Sequence, residues 1–356
     1  MYTYAFGLFI CASTGFWLAR QRFEYRYKVP AVVIACSAIL ASAVSVTTVL
    51  FLNSVESTFI AEGRLFANYI VLYGVAAVLW IVTMIKGKVL FNKEYWFFSL
   101  KLSFPLIGYS VAAQILNVSD RTMISKMVND SAVGIYSTLY TVSSLSLMIW
   151  QAIHASFVPF LFKNIGQEKN DIKKISGWLI ILYAFVAIIM TYLAPEIVKI
   201  LAPEEYYNAI YIMPPIAAGV FLTCFTNIYS DIPVFYKKTK YVMYPAIIAA
   251  IMNLVLNYIF IGIFGYMAAA YTTLVSYIVW AILQAVWARK IASEYGIKNG
   301  CVYSDRLLIL IASITISLCL FGLVLYQNTQ MRYLVSSMVV LIGGCFSVYM
   351  RKKKIL

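Results

Sequence analysis

The stretch PLIGYSVAAQILNVSDRTMIS, residues 105–125, joins a long uncharged run to an acid and a base in adjacent positions. No charged residue lies between Lys101 and Asp120. At about 1.5 Å per residue, a helix over this interval is about 28 Å long, which is close to the ~30 Å hydrocarbon core of a bilayer. The stretch therefore predicts a transmembrane helix with Asp120 and Arg121 in its outer half or at its outer rim.

The rest of the chain repeats this pattern. Of its 356 residues, 63% are hydrophobic and 12% are charged, whereas soluble globular proteins have about 25% charged residues. The apolar runs lack the strict two-residue alternation of a membrane barrel. The sequence therefore predicts an all-α, polytopic membrane protein with about eleven transmembrane helices, at residues 4–19, 29–53, 66–85, 102–124, 132–161, 176–201, 208–229, 241–264, 267–288, 307–326 and 333–350.

The net charge of +14 is spread along the chain and forms no basic soluble module, so a nucleic-acid partner is not expected. Lys and Arg cluster in alternate loops. By the positive-inside rule these loops are cytoplasmic, which predicts an exterior N-terminus and a cytoplasmic C-terminus for this chain. The basic loops and tail cover residues 20–28, 86–101, 163–174, 237–240, 289–306 and 351–354.

Two features suggest breaks between spans. Residues 86–105 resemble an amphipathic interfacial segment followed by a helix that Pro105 helps to start. Pro214 and Pro215 fall inside the predicted span 208–229, which predicts a bend there. The spans group into three over 1–86, six over 87–288, and two further helices with a basic tail over 289–356.

Residues with catalytic chemistry are scarce. The sequence contains one histidine, His154, and six cysteines without a CxxC pair, and it has no HExxH, GxSxG or Walker motif. We therefore expect neither an enzyme nor a resident cofactor or metal. Two interpretations of His154 stay open: a neutral side chain bonded to a helix neighbour, or a proton-responsive group that lines a cavity.

The predicted helix 102–124 has a polar face. Gln114, Asn117 and Arg121 are spaced i, i+3 and i+7, and so share one side of a helix that should face protein or a wet cavity. Asp120 and Arg121 have two interpretations. They form a rim pair that reaches water, or Arg121 provides positive potential for phosphate oxygens while Asp120 orients it or carries a coupling proton.

A second polar helix contains Asn253 and Asn257 at i, i+4, close to a small-residue turn, Ala268–Ala270. Small residues let helices approach closely, and the two amides can hydrogen-bond across the contact. Packing is the simpler explanation, and cavity lining is the alternative. The candidate cavity residues are Gln114, Asn117, Asp120, Arg121, His154, Asn253 and Asn257.

Three stretches resemble the polysaccharide-biosynthesis (O-antigen) flippase family of the multidrug and toxic-compound extrusion superfold. SFPLIGYSVAAQILNVSDRTMISKMVNDSAVGIYSTLYTVSSL, 103–145, is similar to a family signature with an Asp-Arg step before a VGIYS helix start. FYKKTKYVMYPAIIAAIMNLVLNYIFIGIFGYMAAAYTTLVSY, 235–277, resembles a second signature, with Ala268 where glycine is usual. ARQRFEYRYK, 19–28, resembles the loop after the fourth family helix.

This resemblance implies a two-lobed bundle that flips undecaprenyl-pyrophosphate-linked oligosaccharides across the bacterial inner membrane by alternating access. The implied partners are this lipid-linked substrate, membrane lipid and a polysaccharide polymerase, with H⁺ or Na⁺ as the coupling ion. It also implies that three N-terminal helices are missing, so that residues 1–86 are the remnant of an N-lobe and 87–288 the C-lobe. A cation-coupled drug antiporter of the same superfold is the rival, but only Asp120 and Asp231 are acids near mid-span.

Overall fold

The computed structural model describes residues 2–26, 28–55, 59–89, 91–166 and 171–352, which are helical and contain no strand. The helices are α1 (Tyr2–Phe23), α2 (Lys28–Ser54), α3 (Ile60–Gly87), α4 (Lys93–Met127), α5 (Asp130–Ser143), α6 (Ser146–Asn164), α7 (Asp171–Leu201), α8 (Met213–Phe235), α9 (Lys240–Phe264), α10 (Ala268–Glu294), α11 (Asp305–Leu325) and α12 (Thr329–Lys352), with 3₁₀ segments at Glu204–Ile212 and Lys298–Gly300.

The predicted class, an all-α polytopic membrane protein, is confirmed. Each predicted span lies on one helix, with two exceptions. Span 132–161 is the bent pair α5 and α6, and span 208–229 covers the end of the 3₁₀ helix Glu204–Ile212 and most of α8. In the described ranges, eight helices are long and apolar enough to cross a membrane, or nine when α5 and α6, bent by 43°, count as one span. This number is lower than the predicted eleven because α1 and α12 are not among these candidates.

The prediction that Pro105 helps to start a helix is wrong. Helix α4 begins at Lys93 and continues through Pro105. The Asn92 side chain accepts the backbone N–H groups of Glu94 at 3.0 Å and Tyr95 at 3.2 Å. Since these amides have no partner within the helix, the asparagine cap sets the helix start well before the proline.

Pro214 and Pro215, where a bend is predicted, lie directly after a change of helix type. Residues Glu204–Ile212 form a 3₁₀ helix, and α8 begins at Met213, so both prolines lie in the first turn of α8. A proline costs little there, because its missing N–H would have no partner within the helix. The prolines therefore mark the start of α8 within the candidate span Glu204–Phe235, and the predicted bend stays a prediction.

Backbone contacts divide the chain into two compact units, Met1–Phe97 and Phe98–Leu356. In the first unit, α3 packs against both α1 and α2. Its buried residues are small, with Ala41 on α2 and Ala67 and Ala76 on α3 at most 6% exposed. The lobe boundaries predicted at 86/87 and 288/289 stay predictions.

The second unit is built around α8, which packs against α5, α6, α7, α9, α10 and α11. The α8 and α10 backbones are close at Gly219, where a Cβ would be in van der Waals contact with the Leu274 Cα at 3.6 Å. Trp150 on α6, Tyr183 on α7 and Phe221 on α8 form a continuous aromatic contact, with successive ring centroids 5.2 and 5.5 Å apart. These contacts fix the helices on which the polar side chains of the next section lie.

Large apolar side chains also point outward from this unit. Phe104, Met148 and Ile200 are 76%, 72% and 82% exposed. A soluble protein rarely exposes many large apolar side chains to this degree, whereas lipid solvates them well. The outward surface therefore agrees with the hydropathy of the sequence.

Candidate functional site

The Asp120 carboxylate lies inside the second unit, at 1% exposure. Tyr136 of α5 donates to Oδ2 at 2.8 Å, Thr273 of α10 donates to Oδ2 at 2.9 Å, and the Asn257 amide of α9 donates to Oδ1 at 2.6 Å. One carboxylate on α4 is therefore bonded to three other helices. Three donors suit an ionised carboxylate, which can only accept.

The two asparagines extend this arrangement. The Asn253 Oδ1 accepts from Ser119 and from Asn257, each at 3.1 Å, and its amide donates to Thr273 at 3.3 Å. Thr272 donates to the Asn257 Oδ1. We call the side chains of Asp120, Tyr136, Asn253, Asn257, Thr272 and Thr273 the Asp120 network.

Arg121 is not paired with Asp120. Its Nε donates to Ser137 at 3.1 Å and its Nη1 to the Asn117 carbonyl at 2.7 Å, while the guanidinium lies 4.7 Å from the Tyr140 ring centroid. The side chain is half-buried, and within the described ranges it has no carboxylate partner. Because a guanidinium has five N–H donors, several remain for a ligand.

Asn117 and Gln114 differ in their surroundings although they share a helix face with Arg121. Asn117 is half-buried, and its Oδ1 accepts from the Tyr140 hydroxyl at 3.1 Å and from the Tyr277 hydroxyl at 3.5 Å. Gln114 is exposed and lines a surface groove of about 520 Å³ beside Ser110. The polar face therefore runs from an outward groove toward the half-buried guanidinium.

His154 belongs to a separate place in the second unit. Its Nε2 lies 2.9 Å from the Asp231 Oδ2 of α8, and its ring stacks on Trp150 at 5.7 Å. The partner is thus on another helix, not a neighbour on α6. The structure brings Asp120, Asn253 and Asn257 into one network, puts Asn117 and Arg121 beside it, and leaves His154 and Gln114 outside it.

Sequence reasoning did not include Tyr136, Thr272 and Thr273 among the site residues. The available signal was position: Tyr136 lies in the GIYS helix start, and both threonines follow the small-residue turn that resembles a family signature. Tyrosine and threonine are common near the ends of spans. Their types therefore did not identify them as partners of a buried acid.

Two family models each match part of the chain. A model described as polysaccharide biosynthesis protein matches residues 2–165, and the MatE model matches residues 105–259. The solved structure of lipid II flippase MurJ, inward closed conformation, is similar with a TM-score of 0.53 at 17% identity, over 88% of this chain and 67% of that chain. At this identity the likeness supports the fold alone. No curated protein matches the sequence.

The helical fold and the eight or nine candidate spans of the described residues define a polytopic α-helical membrane protein. The two family models, which together cover residues 2–259, refine this class. Over these residues the chain is similar to the polysaccharide biosynthesis and MatE families.

Proposed function

We propose that this protein translocates undecaprenyl-pyrophosphate-linked oligosaccharide repeat units from the inner to the outer leaflet of the bacterial cytoplasmic membrane. The product would supply a polymerase of O-antigen, capsule or exopolysaccharide. In this proposal the C-terminus is cytoplasmic and the N-terminus of the chain is exterior, as the distribution of Lys and Arg favours. The match to the polysaccharide biosynthesis model supports this substrate class.

The observation that carries the proposal is the guanidinium of Arg121. A half-buried cation without a carboxylate partner is costly in a membrane protein unless an anion or water offsets it. A guanidinium matches the geometry of phosphate oxygens with paired N–H groups. Ser137, Asn117 and the Tyr140 ring hold its position, so that it can contact a pyrophosphate without a large loss of side-chain entropy.

The test is translocation by the purified full chain in liposomes that contain a fluorescent undecaprenyl-pyrophosphate oligosaccharide. Arg121→Gln removes the charge but keeps a polar side chain, and we expect at least a tenfold loss of translocation. The matched control is Lys126→Gln, which removes an exposed charge near the end of the same helix and should keep the rate within about twofold. Equal rates for wild type and Arg121→Gln would contradict the role of Arg121.

We also propose that Asp120 carries the coupling ion, H⁺ or Na⁺. It is the one carboxylate in the Asp120 network, and the surrounding amide and hydroxyl oxygens are the ligand types that hard cations prefer. Protein donors hydrogen-bond to both of its oxygens. Binding of a proton therefore requires only that one hydroxyl rotate, whereas binding of Na⁺ requires that several donor groups rotate away.

The same liposomes distinguish the two ions when a proton or a sodium gradient is imposed separately. We expect one gradient to accelerate translocation and Asp120→Asn to remove that acceleration. If neither gradient has an effect in wild type, Asp120 is not a coupling site. If the chain instead exports cationic dyes and leaves the oligosaccharide in place, it is a drug antiporter and the proposed substrate is wrong.

A further inference from the structure

His154 and Asp231 form an isolated acid–base pair inside the second unit. Their 2.9 Å contact joins α6 to α8, and the two side chains are 21% and 12% exposed. The Nε2 of His154 is used by Asp231, and no bond to Nδ1 occurs in the described part of the chain. Nδ1 is therefore the nitrogen that can exchange a proton with water.

The pair lies on the α6 side of a break between two helices. Helices α5 and α6 are bent by 43° where they meet, between Ser143 and Ser146. On one side of this break, Tyr136 bonds α5 to Asp120. On the other side, His154 bonds α6 to α8. Each half of the bent pair thus has its own polar attachment, and the break lies between the two.

The surroundings of the pair contain few groups that change charge near neutral pH. Among the described residues, the nearby titratable groups are four phenols and one further ion pair: Tyr109 on α4, Tyr183 on α7, Tyr229 on α8, Tyr303 in the α10–α11 connection, and Arg289–Asp305 at the ends of α10 and α11. Phenols are neutral at physiological pH, and a paired Arg and Asp keep their charges. An imidazole is the side chain that gains or loses a proton in this range.

From this arrangement we propose that His154 and Asp231 are a proton-binding site that latches α6 to α8. With a proton on both ring nitrogens the contact is an ion pair between opposite charges. Loss of the Nδ1 proton leaves a neutral ring that donates to a buried carboxylate, so the attachment weakens and the site becomes net negative. Proton release then frees α6 to move about the break at Ser143–Ser146. This site goes beyond the proposed lipid substrate and is distinct from the Asp120 network.

His154 is the only histidine of the chain, which permits a direct test. The full chain, prepared with a histidine-free affinity tag and ¹⁵N-labelled histidine, is placed in lipid nanodiscs, and its ring nitrogens are followed by NMR from pH 5 to 9. We expect one reversible titration at Nδ1 while Nε2 stays protonated. Asp231→Asn should weaken proton binding at least tenfold, because it removes the neighbouring negative charge.

The attachment of α6 to α8 is tested by measuring the distance between two spin labels, one at Ser156 on α6 and one at Lys238 after α8, both exposed. So that only these positions are labelled, Cys11, Cys36, Cys301 and Cys345 are replaced by serine. We expect the label distance to lengthen as the pH rises in the otherwise wild-type chain. His154→Gln, which keeps an N–H donor but binds no proton, should give a distance that does not depend on pH.

Three results would overturn the proposal: a ring that never titrates, a titration that Asp231→Asn leaves unchanged, or a distance that ignores pH while the ring titrates. The wild-type measurements stand even if a variant does not fold. Because no oligosaccharide is present, a failure here leaves the proposed transport function untouched, and a failure of transport leaves this proton site untouched.

Discussion

The hydroxyl of Tyr136 offers a sensitive test of the Asp120 network. Tyr136 is completely buried and donates to Asp120 at 2.8 Å. Tyr136→Phe deletes this one donor and keeps the ring. One turn later on the same helix, Tyr140 donates to the neutral amide oxygen of Asn117 at 3.1 Å. Tyr140→Phe is therefore a matched control that differs mainly in the charge of the acceptor.

The expected magnitudes follow from that difference. A hydrogen bond to a charged group contributes about 1.5–3 kcal/mol, whereas hydrogen bonds between neutral side chains in membrane proteins average about 0.6 kcal/mol. Thr273 and Asn257 still bond Asp120 in Tyr136→Phe, so the lower half of the first range applies. We expect about 2 kcal/mol of destabilisation for Tyr136→Phe and under about 1 kcal/mol for Tyr140→Phe.

The assay is unfolding of the purified chain in mixed micelles by increasing mole fractions of sodium dodecyl sulfate, followed by tryptophan fluorescence at neutral pH. Each variant is compared with wild type at the same lipid composition. If Tyr136→Phe costs no more than Tyr140→Phe, the reasoning is refuted, because Asp120 would then not be a charged acceptor of the tyrosine hydroxyl.

Two further sites yield predictions with the same unfolding measurement. Arg332 of α12 is 3% exposed and ion-paired to Glu196 of α7. Arg332→Ala should therefore destabilise the fold by about 3–5 kcal/mol, whereas the double variant Arg332→Met, Glu196→Leu should cost much less. Equal losses for the two variants would contradict a buried pair. Gly300 has a φ of +65°, and a Cβ there would lie 2.1 Å from a backbone oxygen. At the control position, Gly296, a Cβ has open space and adds only about 1–2 kcal/mol of left-handed backbone strain. Gly300→Ala should therefore lower the free energy of unfolding clearly more than Gly296→Ala.

Much of the fold was predictable because hydropathy dictates where a chain crosses a membrane. The span 241–264 and α9, Lys240–Phe264, differ by one residue at one end. Helix starts were less predictable. The Asn92 cap before Lys93 and the 3₁₀ segment before Met213 depend on local hydrogen bonds that hydropathy does not report.

The candidate site was predictable in part. The sequence analysis included Asp120, Asn253 and Asn257 among the candidate cavity residues, and all three lie in one network. The sequence could not identify their partners, because Tyr136 and Thr273 are 16 and 153 positions away from Asp120. Residue type also failed to separate Gln114, which is exposed, from Asn117 on the same face.

The sequence by itself determined that lipid surrounds this protein, that the protein is helical, and where its spans lie. Each of these follows from the lengths of the apolar runs and from the need to close backbone hydrogen bonds within lipid. Only the tertiary structure decided that Asp120 and Arg121 have different partners. Neighbouring side chains on a helix point about 100° apart. Asp120 therefore bonds α5, α9 and α10, while Arg121 contacts Ser137 and Tyr140 and, among the described residues, no carboxylate.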